Sequence, residues 1–180
     1  DNSTRAFTAQ SLSLAASAQA EMLMFSDYAI IANGTQFKKM NVSGTWSDVG
    51  GSPGIPKYLA VHNNRLISAG ITGKAHLFEY SAVRDPDTRD TTNDYVLVTV
   101  PLGEVCTGIN SFGDDLIYFT RHNTILQWQN PNNKGDWDRL DISNQIGCIA
   151  PKSYAEISHL PFPLAVFWSE EGPYVIYRIG

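Results

Sequence analysis

Long apolar runs are missing from this chain. No stretch of about 18 apolar residues occurs among its 180, so no segment has the make-up of a bilayer-spanning helix. Ser11–Phe25 superficially resembles the apolar part of a signal peptide, but no basic segment precedes it and Gln19 and Glu21 interrupt it. Charge is also scarce: Asp, Glu, Lys and Arg make up 17%, against roughly 25% in an average domain. The net charge is −5 with no basic stripe, which argues against tight binding to a phosphate backbone. Such weak acidity is compatible with a surface that DNA slides past. The only two cysteines, Cys106 and Cys148, sit in no Cys-x-x-Cys or Cys/His cluster. Buried free thiols in strands are expected, with a disulfide as the other reading.

Hydrophobic residues still reach 43%, enough for a packed core. They come as short runs in a recurring order: apolar run, turn, second apolar run, polar run with aromatics. The first runs are Tyr28–Ala32, Arg65–Ala69, Leu116–Thr120 and Leu164–Trp168, with starts 37, 51 and 48 residues apart. Their followers are Phe37–Met40, Ala75–Tyr80, Thr124–Trp128 and Tyr174–Tyr177. A unit of about 40–50 residues holding about four strands is the signature of a β-propeller blade. The fold expected is all-β: a β-propeller-like array of about three and a half four-stranded antiparallel blades.

The expected organisation is an N-terminal arm or incoming strand over residues 1–20. A partial propeller follows over 21–180, with blades at about 21–50, 57–100, 105–143 and 154–180. Asn33-Gly34 is a tight hairpin turn, and Gly50-Gly51-Ser52-Pro53-Gly54 is too turn-rich for any strand. Val105–Ile109 is expected to lead the third blade, and the polar stretch Val83–Asp94 to be a surface loop. The last unit lacks an outer strand. Because an open array leaves unpaired edges, a larger propeller or a partner that supplies closure is expected.

Candidate chemistry is thin. None of His62, His76, His122 and His159 lies three or four residues from another metal ligand in a ligand-like pattern. Asp85, Asp87, Asp90 and Asp94 alternate as Ca²⁺ ligands can, but Arg84 and Arg89 can neutralise them and the EF-hand Gly and Glu are missing. Asp27, Asp114 and Asp115 sit at inner hairpin turns, where a glycosidase propeller would place carboxylates. Turn chemistry alone also explains an Asp there. Glu170-Glu171 reads as a solvated turn. Trp46, Trp128, Trp137 and Trp168 fall in or beside strands, suited to packing between blades or to lining a sugar surface. No catalytic, cofactor or metal site is expected, nor an enzyme.

Six segments in order nevertheless carry a resemblance. They are Tyr28–Trp46 (YAIIANGTQFKKMNVSGTW), Tyr58–Gly70 (YLAVHNNRLISAG), Leu77–Asp87 (LFEYSAVRDPD), Asp115–Trp128 (DLIYFTRHNTILQW), Ile146–Ser153 (IGCIAPKS) and Val166–Ile176 (VFWSEEGPYVI). Together they resemble the propeller-bearing tail hub, or nozzle, of short-tailed bacteriophages. This chain is shorter than full-length members, and its Asp-Pro lacks the Trp that often follows. The resemblance implies a virion structural protein, assembled in the host cytoplasm, in a homo-oligomeric ring. Its implied partners are portal, adaptor and tail fibre or spike proteins. Genomic DNA would pass through non-specifically, and this segment would not insert into a membrane. A carbohydrate- or host-receptor-binding propeller is the alternative, and a glycosidase ranks below both.

Overall fold

The computed structural model describes residues 19–89, 93–130, 136–157 and 163–177. The N-terminal arm (apart from its last two residues), Asp90 and His159 lie outside them. Four antiparallel sheets follow one another along the chain. The first contains β1 (Glu21–Phe25), β2 (Tyr28–Ala32), β3 (Phe37–Met40) and β4 (Trp46–Asp48). The second contains β5 (Tyr58–His62), β6 (Arg65–Ile71), β7 (Lys74–Tyr80) and β8 (Tyr95–Leu97). The third contains β9 (Gly108–Phe112), β10 (Asp115–Phe119), β11 (Thr124–Gln129) and β12 (Trp137–Ser143). The fourth contains β13 (Ala155–Ile157), β14 (Leu164–Ser169) and β15 (Gly172–Tyr177), preceded by a 3-10 turn at Pro151–Ser153. Each sheet is a meander in chain order, and the first strands β1, β5 and β9 are neighbours across the sheets. This is an array of β-propeller blades, three complete and one of three described strands.

Local sequence sets the hairpins. Asn33 turns the chain between β2 and β3: its Oδ1 accepts the N–H groups of Thr35 and Gln36 at 3.0 and 2.7 Å, and Gly34 takes φ +81°. Asn41 does the same between β3 and β4, accepting from Ser43 and Thr45. Within each sheet, side chains alternate between two faces. One face of every blade packs onto the next blade. Phe25, Ile30 and Phe37 of the first blade meet Leu59 and Leu66 of the second. Ala69, Phe78 and Tyr80 of the second meet Ile109, Leu116 and Tyr118 of the third. Phe112, Ile117 and Phe119 of the third meet Ala165, Phe167 and Ile176 of the fourth. Phe119 and Phe167 lie 4.8 Å apart, centroid to centroid, in a tilted pair.

The third blade begins later than its apolar pattern suggested. Val105 is exposed, and the strand runs instead through Asn110 and Ser111. Ser111 has work at two seams: its Oγ lies 3.2 Å from His62 Nδ1, and its carbonyl accepts the Tyr154 hydroxyl at 2.8 Å. The polar stretch after β7 is a surface loop as expected, with Val83, Arg84, Thr88 and Asn93 exposed, yet it buries Pro86 and sends Asp87 to the seam between the first two blades.

Candidate functional site

The charged side chains gather at the seams between blades. At the first seam, Asp87 reaches from the loop of the second blade to the first. Its Oδ1 accepts the Gly50 N–H at 2.7 Å, and its Oδ2 pairs with Lys39, whose ammonium also lies 4.8 Å from the Tyr28 ring centroid. Gly51 passes so close that a Cβ would stand 2.5 Å from the Asp87 carbonyl oxygen, and its φ is +75°. The glycine-rich linker therefore answers to this loop, and no side chain fits there. Beside it, Glu79 is buried; its carboxylate accepts Gly54 N–H at 2.9 Å and Lys74 Nζ at 3.1 Å. Arg89 donates to Ser68 Oγ at 2.7 Å and lies over the Phe37 ring. Burial lowers its pKa to about 10, against the opposing charges of Glu79 and Asp94.

Of the four candidate calcium ligands of this loop, Asp85 and Asp87 are engaged elsewhere and Asp90 lies outside the described residues. Asp85 Oδ1 and Oδ2 accept Asp87 N–H at 2.9 Å and Thr88 Oγ1 at 2.6 Å, closing a local turn. Asp85 and Asp87 thus spend their oxygens on different partners. Among the described residues no group of three His, Cys, Asp or Glu side chains is placed to hold a metal ion.

A second charged seam joins the last two blades. Arg121 pairs with Glu170, and His122 bridges two carboxylates, Glu104 Oε1 at 2.5 Å and Glu170 Oε2 at 3.5 Å. Burial works to raise the pKa of Glu104, but hydrogen bonds from Thr120 and His122 outweigh it and lower it. Glu171 accepts the Tyr174 hydroxyl at 2.8 Å. The Glu170-Glu171 turn is exposed to solvent as expected, and both residues also have partners.

Two concavities lie near the inner strands. Where these strands begin, a cleft of about 170 Å³ is lined by Glu21, Tyr58, Asn110, Lys152 and Tyr154. Lys152 crosses it to Glu21 at 2.6 Å, tying the fourth blade to the first. Burial raises the Tyr58 pKa to about 12, so this phenol stays protonated at neutral pH. Near the inner hairpin turns, an open pocket of about 430 Å³ is lined by Met24, Asp27, Val61, Asn64 and Arg84. Asp27 and Asp114 are exposed at turns of the first and third blades, while Asp115 is buried at the start of β10. Only Asp27 lines this pocket. His62 is buried behind the turns, and burial lowers its pKa against the opposing charge of Asp114. His76 is exposed on β7.

Trp137 fills the seam between the second and third blades, edge-on to Phe78 at 5.2 Å and tilted to Tyr80 at 5.7 Å. Trp128 packs on the core between the third and fourth blades, Trp46 is half-buried on β4, and Trp168 is half-exposed on β14. Cys106 and Cys148 are buried free thiols in separate cores. Burial pushes Cys106 up to about 12 and raises Cys148 as well. Sequence reading missed Glu79, hidden in the apolar run Leu77–Tyr80, and Lys152, in a turn with no strand pattern. A lone acid between apolar strand residues was the available signal for the first.

Among known proteins, the chain matches no family model and no curated protein. It is similar in structure to the dihydro-heme d1 dehydrogenase NirN solved in complex with DHE, at TM-score 0.58 and 10% identity over 88% of this chain and 34% of that one. It is also similar to PorZ, a surface component of the type-IX secretion system of Porphyromonas gingivalis, at TM-score 0.47 and 14% identity over 88% of this chain and 20% of that one. The chain thus spans about a third of the first protein and a fifth of the second. The likeness to NirN is one of fold, the β-propeller.

Proposed function

We propose that this chain is a structural module of a tailed-phage virion, of the tail hub or nozzle type. In this reading its blades give a stiff scaffold in a ring that DNA leaves through without being recognised. The observation that carries it is where the charged groups are spent. Asp87, Glu79, Lys39, Arg121, Glu170 and Lys152 all hold one stretch of backbone or one blade to another. That use of charge suits a part that bears load. The six ordered segments of the phage resemblance support the same reading. Portal, adaptor and fibre or spike proteins would be its neighbours, and the chain would act without catalysing a reaction.

Mass spectrometry of purified particles, with labelled antibody located on them by electron microscopy, tests the proposal. Label at the tail is expected; a protein missing from intact particles would end this reading. One observation favours a host-receptor or sugar-binding role instead: the half-exposed Trp168 and the exposed Tyr177 stand on one sheet face. Glycan-array binding that Trp168→Ala abolishes would support that alternative, and no binding at millimolar sugar would remove it.

A further inference from the structure

We propose that the cleft where the inner strands begin binds a single neutral sugar ring, held by the Tyr58 hydroxyl and the Asn110 side-chain amide. The cleft is lined from all four blades: Glu21 on β1, Tyr58 on β5, Asn110 on β9, and Lys152 and Tyr154 just before β13. Two polar side chains here are unspent. Tyr58 and Asn110 are half-buried, and neither side chain makes a hydrogen bond within the described residues. Asn110 breaks the apolar stripe of β9 without serving a seam, unlike its neighbour Ser111. Polar groups in such a place are completed by water or by a ligand.

Both aromatic walls are held in place. Gly70, at the irregularity of β6, has φ +67°, and a Cβ there would stand 2.7 Å from the Tyr58 ring. Tyr154 is fixed by its bond to the Ser111 carbonyl at 2.8 Å. The two rings, with Ile109 and Pro151, give the cleft apolar surface beside its polar groups. Charge then selects the ligand class. Lys152 and Glu21 neutralise each other at 2.6 Å, so the cleft offers no net charge to an anion or a cation. The groups left over, a phenol that stays protonated and a carboxamide, each both donate and accept. Hydroxyl groups do the same, and a sugar ring sets them around an apolar C–H face. A volume of about 170 Å³ is below the roughly 300–1,000 Å³ that holds a drug-sized ligand, so one ring fits inside. The reading does not depend on the virion proposal, and the cleft is separate from the Trp168 face.

Nuclear magnetic resonance titration of the 180-residue chain with glucose, galactose, mannose and N-acetylglucosamine, each at millimolar concentration, tests the proposal. At least one sugar should saturably shift the Asn110 side-chain amide and the backbone of Tyr58 and Lys152, while acetate and phosphate should not. Asn110→Ala and Tyr58→Phe should each weaken binding of that sugar about 3–10-fold, the loss of one neutral hydrogen bond. Both variants should keep the wild-type melting temperature, because neither group bonds within the chain. No saturable shift with any of the four sugars, saturation by acetate or phosphate instead, shifts confined to β14 and β15, or variants of unchanged affinity would each overturn the proposal.

Discussion

Replacing Asp87 should loosen the first two blades and leave the other seams intact. The carboxylate makes two contacts across the seam, to the Gly50 N–H at 2.7 Å and to the Lys39 ammonium. Asp87 is 36% exposed and Lys39 only 13%, so the pair is screened on one side only. A hydrogen bond to a charged group contributes roughly 1.5–3 kcal/mol, whereas a fully exposed ion pair contributes at most about 1 kcal/mol. Taking the ion pair at the low end and the backbone bond at about 1 kcal/mol, Asp87→Ala should cost about 2–3 kcal/mol. Part of that is the Gly50 N–H and the Lys39 ammonium left without a partner. Asp87→Asn keeps an acceptor for Gly50 but faces Lys39 with a donor or a neutral oxygen, so about half the loss is expected. For a domain of this length, the Ala variant should melt about 5–10 °C lower. Urea and thermal unfolding of wild type, Asp87→Ala and Asp87→Asn measure this. Added Ca²⁺ should leave the wild-type curve where it is. An Ala variant within about 0.5 kcal/mol of wild type, or a calcium-dependent rise reversed by chelator, would refute the clamp.

Gly147→Ala should be far worse than Gly44→Ala. A Cβ at Gly147 would overlap the Thr120 carbonyl oxygen and stand 2.7 Å from the Arg121 carbonyl carbon, while at Gly44 nothing lies within 4 Å. Expected losses in a melting comparison are about 3 kcal/mol or more against about 1 kcal/mol. Stability should fall as pH drops through 6.5, because burial lowers the folded pKa of His62 beneath that ordinary value. The unfolded chain then binds the extra proton, so the stability present above pH 6.5 drains away below it, by at most about 1.4 kcal/mol per pH unit; His62→Gln should flatten the slope of unfolding free energy against pH. Tyr118→Phe removes the hydroxyl that donates to the Ala75 carbonyl at 2.9 Å, and should cost about 1 kcal/mol by urea titration. Cys106 should resist a thiol reagent at pH 8 until denaturant is added, since it is buried and its pKa stands near 12.

The strands were legible because their signals are local. Tyr28–Ala32 and Arg65–Ala69 are short apolar runs bounded by turn residues; the first forms β2 over those same residues, and the second forms β6, which runs on to Ile71. β9 was misplaced because polar residues, Asn110 and Ser111, interrupt its apolar stripe, and Ser111 is spent on seam hydrogen bonds. The loop after β7 was legible as a surface loop, but its seam contacts were not. Its composition is that of a solvated segment, and only tertiary partners distant in sequence, Lys39 and Gly50, make it a clamp. Of the candidate carboxylates, Asp27 and Asp114 do sit at turns as expected, whereas the inter-blade roles of Glu79 and Lys152 depend on partners that no local pattern names.

The scarcity of charge and its placement belong together. Blades hold one another chiefly through apolar faces, and apolar contact is not directional. A sheet resting on another by such a face could slide by a residue or rotate at little cost. Polar contacts at the seam margins supply the missing register. Asp87 fixes the first blade against the second, Tyr118 and Ser111 position the second against the third, and Arg121 and His122 fix the third against the fourth. Each of these seams joins blades in a single chain.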